Sequence, residues 1–419
     1  MSNSNISKRL AQVKPGTLHA GVDLALDKNV VIVMDENARQ CDRFSFPQDA
    51  DGYKYFLARL EKVRQKQGAS QVVIAMEPTN FFWKLLANWL EEKEVVYHLV
   101  NAYTVNKHRE GDQIDRSKDD PRDAFVIGDL SRTGKYTDTQ LQRGVYAELR
   151  EYATLYYQTM KGLAREKSIL WGLIGQVFPE LHRAFKEFSG KTISALLKTC
   201  PAAATIRALS EEDFIAKVSA AFRGQRLCKS KLRQAYRLAN TSIGLVDGLR
   251  ANALAVQIHL DQLEALQTDL YRIIMVLKDC LMQLDVAKYL LSVKALNTLS
   301  VALILAKIGD PERYHCAGQL VKLAGIQPVS NSSGRKQRSA TPMSHQGRPG
   351  LRATLYFACL RLIQVDSRFQ EVYFSLQKRT KNPLTKMQAL GVLMNKLLHV
   401  LWALISQKIS YDPNFSLAA

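Results

Sequence analysis

Between His19 and Leu130 the chain sets short β-branched runs and helical stretches in an order that few folds accommodate. HAGVDLAL (19–26), NVVIVMDE (29–36) and Arg43–Phe46 are apolar runs split by brief polar turns, as the strands of a meander are. Asp49–Gln65 then spaces Tyr53, Phe56, Leu57 and Leu60 at helical intervals. QVVIAM (71–76) reads as a buried strand stopped by Glu77 and Pro78, Phe82–Leu90 as a helix, and Val95–Val100 as a further strand. Helices over Ala102–Arg109 and Pro121–Leu130 follow, with Pro121 suited to a first turn. Strands joined by tight turns pair antiparallel, whereas strands that follow helices need crossovers. The spacing predicts an N-terminal extension over 1–18 and an α/β domain over 19–135.

The remainder reads as helical. Residues 136–292 form a helical and coiled-coil region with an insert at 183–240 that contains Pro201, Gly224 and the basic run Arg223, Arg226, Lys229, Lys231 and Arg233. Leu249, Val256, Leu263, Leu270, Leu277 and Leu284 recur at sevenfold spacing. Ala253, Leu260, Ile274 and Leu281 supply a second seam that Gln267 interrupts, so a coiled coil is expected. Its partner is either residues 138–182 of the same chain or another subunit. Residues 293–419 read as a mostly α-helical C-terminal domain around a loop at Gln327–Gly350. The apolar stretch Met387–Ile409 holds Gln388, Asn395, Lys396 and His399, which suits an amphipathic core helix rather than a membrane span.

Charge narrows the function. Lys and Arg number 58 against 39 Asp and Glu, a net of +19, while 47% hydrophobic content excludes a mostly disordered chain. Residues 331–419 alone carry thirteen Lys or Arg against three acids. Such density favours phosphate contact over a merely solvated face. The basic candidates for nucleic-acid contact are Lys107, Arg109, Lys118, Arg335, Lys336, Arg338, Arg348 and Arg352, with Tyr103 beside the first two. His108, His315 and His345 lack metal spacing, and Tyr156, Tyr157 and Trp171 read as core. Six cysteines without a CxxC pair argue against a disulfide framework or zinc ribbon, and the first residues lack an apolar leader. A cytoplasmic, nucleoid-associated setting is expected. Gly190-Lys191-Thr192 is no P-loop, because Phe185 stands where its first glycine belongs.

Four acids fall where a metal site could form. Asp23 lies within an apolar strand, where a charge is costly unless paired or coordinated, and Glu77 closes another buried strand. Asp120 and Asp123 are three apart at a helix start and share a face. Hard oxygen donors suit Mg²⁺, with Mn²⁺ as an alternative. Singly, each acid also suits a structural role: an edge or turn residue, a solvated strand end, an N-cap, a charge on the helix dipole. Strand Asp, strand-end Glu and helical Asp pair together follow the order of a ribonuclease-H-like fold.

GVDLA (21–25), AMEPT (75–79), NAYTVNKHREGD (101–112) and SKDDPRDA (117–124) resemble the DEDD transposases of bacterial insertion sequences, whose first domain is RuvC-like. FPEL (178–181) resembles a helical-region element of the same family. AKIGD (306–310), LAGIQPVSNSSG (323–334) and GRPGLRATLY (347–356) resemble its second transposase region. The resemblance assigns the carboxylates to Asp23, Glu77, Asp120 and Asp123, and a nucleophilic serine to Ser333. Asp119 stands where the family has threonine and competes with Asp120 as a ligand, and Lys294-Ala295-Leu296-Asn297 replaces the family's Pro-Gly-Ile-Gly. The resemblance further implies donor and target DNA as substrates, a noncoding bridge RNA as guide, and a homo-oligomer, dimer or tetramer, in which one subunit's carboxylates serve another's serine. Without it, Ser330, Asn331, Ser332 and Ser333 form an ordinary polar loop.

Two other functions compete. A structure-specific nuclease would use the acids with water and needs no Ser333. A noncatalytic scaffold would rest on the coiled coil and basic tail alone, and the four-acid order argues against it.

Overall fold

The computed structural model describes residues 3–11, 13–78, 80–112, 120–137, 141–188, 190–222, 224, 226–329, 332–333, 336–337 and 342–412. It divides into two units, Met1–Leu141 and Gln142–Ala419.

The first unit opens with α1 (Asn3–Leu10), β1 (Thr17–Asp23), β2 (Lys28–Met34) and β3 (Gln40–Pro47). It continues through α2 (Ala50–Lys66), β4 (Gln71–Met76), α3 (Phe82–Glu92), β5 (Tyr97–Leu99), α4 (Ala102–Asp112) and α5 (Asp120–Arg132). The sheet order is β3-β2-β1-β4-β5. As the turn lengths require, β1, β2 and β3 pair antiparallel, and β4 and β5 add in parallel. Each strand's alternation supplies two faces. Leu18, Ala20 and Val22 of β1, with Ile74 and Met76 of β4, pack against Phe56 and Leu60 of α2 and Leu86 and Leu90 of α3. Ala75 turns the other way, against Val126 and Ile127 of α5. Asp49 caps α2 by accepting from the Gly52 amide at 2.7 Å.

Among the described residues the second unit is mostly helical. Its elements are α6 (Gly144–Val177), α7 (Lys191–Thr199), α8 (Ala203–Arg207), α9 (Glu211–Ala220), α10 (Lys229–Asn240), α11 (Leu249–Met282), α12 (Ala287–Leu291) and α13 (Thr298–Ile308). Then come α14 (Ala317–Ala324), β6 (Ser332–Ser333), β7 (Lys336–Gln337), α15 (Pro349–Val365), α16 (Ser367–Lys378) and α17 (Lys386–Gln407).

The heptad seam of α11 is used inside the chain. Cys280 lies against Glu148, Leu266 against Gly162, His259 against Glu166, and Asn252 against the Leu173 carbonyl. As the numbers fall along one helix they climb along the other, so α6 and α11 form an antiparallel pair. Val256, Leu260, Leu263, Leu277 and Leu281 are buried on that seam, and Gln267 is exposed. The far end of the pair is filled by α7 to α10, with Phe214, and by Phe185 and Phe188 of the segment leading into α7. Its near end shares one core with the C-terminal helices, through Leu149, Leu277 and Leu281 among Leu305, Leu355 and Leu397. FPEL sits at the turn out of α6, where Phe178 and Leu181 are buried and Glu180 accepts from Ser242 Oγ at 2.5 Å. Helix α17 is long and apolar enough to cross a membrane by composition, yet Leu393, Leu397, Leu398 and Leu401 are fully buried in that shared core.

Candidate active site

Parallel pairing of Val22 with Met76 makes Asp23 and Glu77 the next residues along two adjacent strands, at their carboxyl edge. This is where open α/β sheets place ligands. Alternation decides the face. Gly21 points at α5, so Asp23, two residues on, shares that face; Ala75 packs on α5, so Glu77 shares it too.

Helix α5 lies unusually close to β1. A Cβ on Gly21 would stand 1.9 Å from the Ala124 carbonyl oxygen and 2.4 Å from the Gly128 amide nitrogen. Only hydrogen at position 21 permits this approach. Lower down, His19 Nδ1 is 3.4 Å from Ser131 Oγ. The helix therefore runs against the strand direction. From His19 to Asp23 the strand climbs about 13 Å, the length of about nine helical residues. Counting back from Ser131 arrives at the first turn of α5, between Asp120 and Asp123. Backbone geometry thus draws all four acids to one end of one sheet face. Asp123 is only 7% exposed and Asp120 is exposed at the helix start, while Asp23 and Glu77 are half-buried.

The donor set is all carboxylate oxygen, the chemistry a hard divalent cation takes. Among the described residues, no group of three or more His, Cys, Asp or Glu side chains stands close enough to hold a metal. The backbone assembles the neighbourhood without closing the side chains into a ligand set. The competing ligand Asp119 lies outside the described residues.

The described residues of the serine segment are tied by backbone hydrogen bonds. Ser333 pairs with Lys336 across the β6–β7 hairpin. Below it the two sides of the loop are tied by Val329 N to Pro342 O and Ser344 N to Gln327 O, both 2.9 Å, and by His345 N to Gly325 O at 3.0 Å. The base is pinched by two glycines: Gly325 has φ +68°, and a Cβ on Gly347 would stand 2.4 Å from the Gly325 amide nitrogen. Ser333 therefore sits beyond a hydrogen-bonded stem rooted between α14 and α15.

The basic candidates separate by role. Lys107 holds its ammonium 4.9 Å from the Tyr103 ring centre, and Tyr103 is exposed. The backbones of Arg109 and Lys336 lie in α4 and β7. Lys118, Arg335 and Arg338 lie outside the described residues. Arg352 turns inward, donating to the Ala324 carbonyl at 2.9 Å and to the His345 carbonyl at 3.4 Å, which braces the stem. Arg348 likewise donates to the Lys307 carbonyl. Asn297, in place of the family's glycine, caps α13 by accepting from Ser300 N at 2.8 Å. His108 pairs with Asp129 at 3.1 Å, and Tyr156 and Tyr157 pack on the second unit's core.

Sequence reading missed the Gly21–Gly128 approach and the inward use of Arg352. Glycines at 21 and 128, each in an otherwise apolar or helical run, were the available signal.

A five-stranded mixed sheet with acids at its central strand ends, followed by a helical region, is the ribonuclease-H-like architecture of the DEDD transposases. Residues 20–179 match the DEDD transposase domain of the IS110 group, and residues 287–374 match the domain described as transposase IS116/IS110/IS902 family. The chain belongs to the IS110 family of transposases, enzymes that act on DNA. It is 24% identical over 336 residues to a Streptomyces coelicolor protein named for the IS117 mini-circle transposase, covering 76% of this chain and 78% of that one. A Pseudomonas aeruginosa protein named as a family 20 transposase is 27% identical over 129 residues, 30% of this chain and 36% of that one.

Proposed function

We propose that this transposase cuts and rejoins the DNA of a mobile insertion sequence through a covalent serine–phosphate link. Ser333 Oγ attacks a DNA phosphodiester; the Oγ–P bond forms, one P–O bond of the DNA breaks, and the serine proton ends on the released hydroxyl. The link conserves the phosphodiester's energy, so a hydroxyl can reverse the step without ATP. Asp23, Glu77, Asp120 and Asp123 would hold Mg²⁺ or Mn²⁺, which when bound polarises a phosphoryl oxygen. Arg335, Lys336 and Arg338, beside Ser333 in sequence, carry charge suited to the developing negative charge on phosphorus oxygens.

The single observation that supports this most is the side-by-side placement of Asp23 and Glu77 over the start of α5, in a chain whose second transposase domain carries Ser333 on a built stem. Family resemblance adds a bridge RNA that pairs with donor and target DNA, and a dimer or tetramer as the working form. Sequence choice then lies in base pairing, while the protein reads backbone and A-form shape.

Labelled DNA incubated with Mg²⁺ and denatured should yield a protein-linked product. Ser333→Ala should abolish that product and recombination while leaving DNA binding intact. A persisting adduct refutes the nucleophile, and hydrolysed ends with no adduct at any time replace it with a water-using nuclease.

A further inference from the structure

In the second unit Arg348 is bonded to the Lys307 carbonyl, and Arg150 lies near enough to act on the charge of both. Arg150 comes from the first turns of α6, Lys307 from the end of α13, and Arg348 from the position preceding α15. All three are half-buried. Burial, then Arg150 and Arg348, pull the Lys307 pKa below its usual value, and burial and Arg150 do the same to Arg348. Glu151 acts on Lys307 in the opposite sense.

Part of the cluster is explained internally. Lys307 Nζ lies 4.9 Å from the Tyr157 ring centre, and Arg348 donates to the Lys307 carbonyl at the negative end of α13. Neither contact removes the repulsion among three partly dehydrated positive charges. An anion does. The start of α15, a helix of 17 residues opening on Pro349, places the positive end of its dipole beside Arg348. Tyr157 is held there by its hydroxyl, which donates to the Gly350 carbonyl at 3.2 Å.

We infer that Arg150, Lys307 and Arg348 form a preassembled seat for a backbone phosphodiester of DNA. The inference rests on the chain's being a DNA transposase and not on the chemistry of Ser333. Arg348 also closes the serine stem, its amide donating to the Leu323 carbonyl at 2.8 Å, so a phosphate in the seat is gripped by the same residue that roots the stem. Neither Arg150 nor Lys307 stood out in the sequence, because Arg150 lies in a helix and Lys307 within AKIGD, both far from the basic tail.

The test uses the full chain carrying Ser333→Ala throughout, so that it reads binding alone and its failure leaves the serine proposal standing. Arg150→Gln and Lys307→Gln are compared with Lys54→Gln, an exposed control paired with Asp51. Fluorescence anisotropy with a labelled DNA duplex across a salt series should show about tenfold weaker binding for either seat variant. The slope of log affinity against log salt should become shallower by about one. Without ligand, each seat variant should melt at or above the unsubstituted temperature, since a repulsion is removed. Inorganic phosphate should raise the melting temperature of the unsubstituted seat and raise it less in the variants. Unchanged DNA affinity and slope overturn the inference, even where inorganic phosphate still binds. A lowered ligand-free melting temperature marks the cluster as structural and also overturns it. A deficit confined to an RNA hairpin probe overturns the assignment to DNA.

Discussion

Replacing Gly21 by alanine is expected to disable the carboxylate site without touching a carboxylate. The new methyl group would begin 1.9 Å from the Ala124 carbonyl oxygen and 2.4 Å from the Gly128 amide, where ordinary contact begins near 3.4 Å. Both neighbours are backbone, so no side chain can rotate away. Helix α5 must retreat by about 1.5 Å, the difference between those distances. Overpacking of this kind costs about 2 kcal/mol, which for a unit of this size lowers the melting temperature by about 7 °C. The same retreat carries Asp120 and Asp123 away from Asp23 and Glu77. A misplacement of about 1 Å is enough to cost roughly a hundredfold in rate. Thermal unfolding and the rate of DNA cleavage with added Mg²⁺, measured on the same preparation, test both halves. Gly21→Ser should be at least as harmful. A Gly21→Ala protein with unchanged melting and unchanged cleavage would show that α5 does not bear on β1 as described, and the convergence of the four acids would lose its basis.

Acid should weaken the first unit. Burial holds the imidazoles of His19 and His98 at about 4, with Arg132 adding to the shift at His19 and His19 adding to it at His98. Both pKa values are depressed, so the unfolded chain takes up protons first. Stability is full above the ordinary histidine pKa of about 6.5 and is lost as pH falls from there toward about 4, by up to about 3 kcal/mol for each residue. His98→Gln should flatten the dependence of melting temperature on pH over that window, and an unaltered profile would count against these two groups. Gly347→Ala should disrupt the pinched stem, since its Cβ would meet the Gly325 amide nitrogen at 2.4 Å. Strand exchange is expected to fall at least tenfold and melting by several degrees, because the clash is with backbone beside the buried Ala324 and Ile326; unchanged melting and unchanged exchange would show that the two glycines do not pinch the stem.

The strand and helix order of the first unit was legible because each element carries its own period. Alternation in β1 and β2, and the spacing of Tyr53, Phe56 and Leu60 in α2, declare themselves within a few residues. Asp23 and Glu77 stood out as candidates for a related reason. A charge inside HAGVDLAL or at the end of QVVIAM stands out against its apolar neighbours. The partner of α11 was not legible. A heptad seam has the same pattern whether it meets another subunit or its own chain, and only the pairing with α6 chose between them.

Taken by itself, the amino-acid order determined which segments are strands and helices, where charge accumulates, and which residue types are available for phosphate chemistry, since these depend on neighbours a few positions apart. Tertiary structure decided everything that depends on approach between distant segments. It set Gly21 against Ala124, turned Arg352 onto two carbonyls, and gathered Arg150, Lys307 and Arg348 from three helices. Those distances arise from close packing over the whole unit, and no local period encodes them.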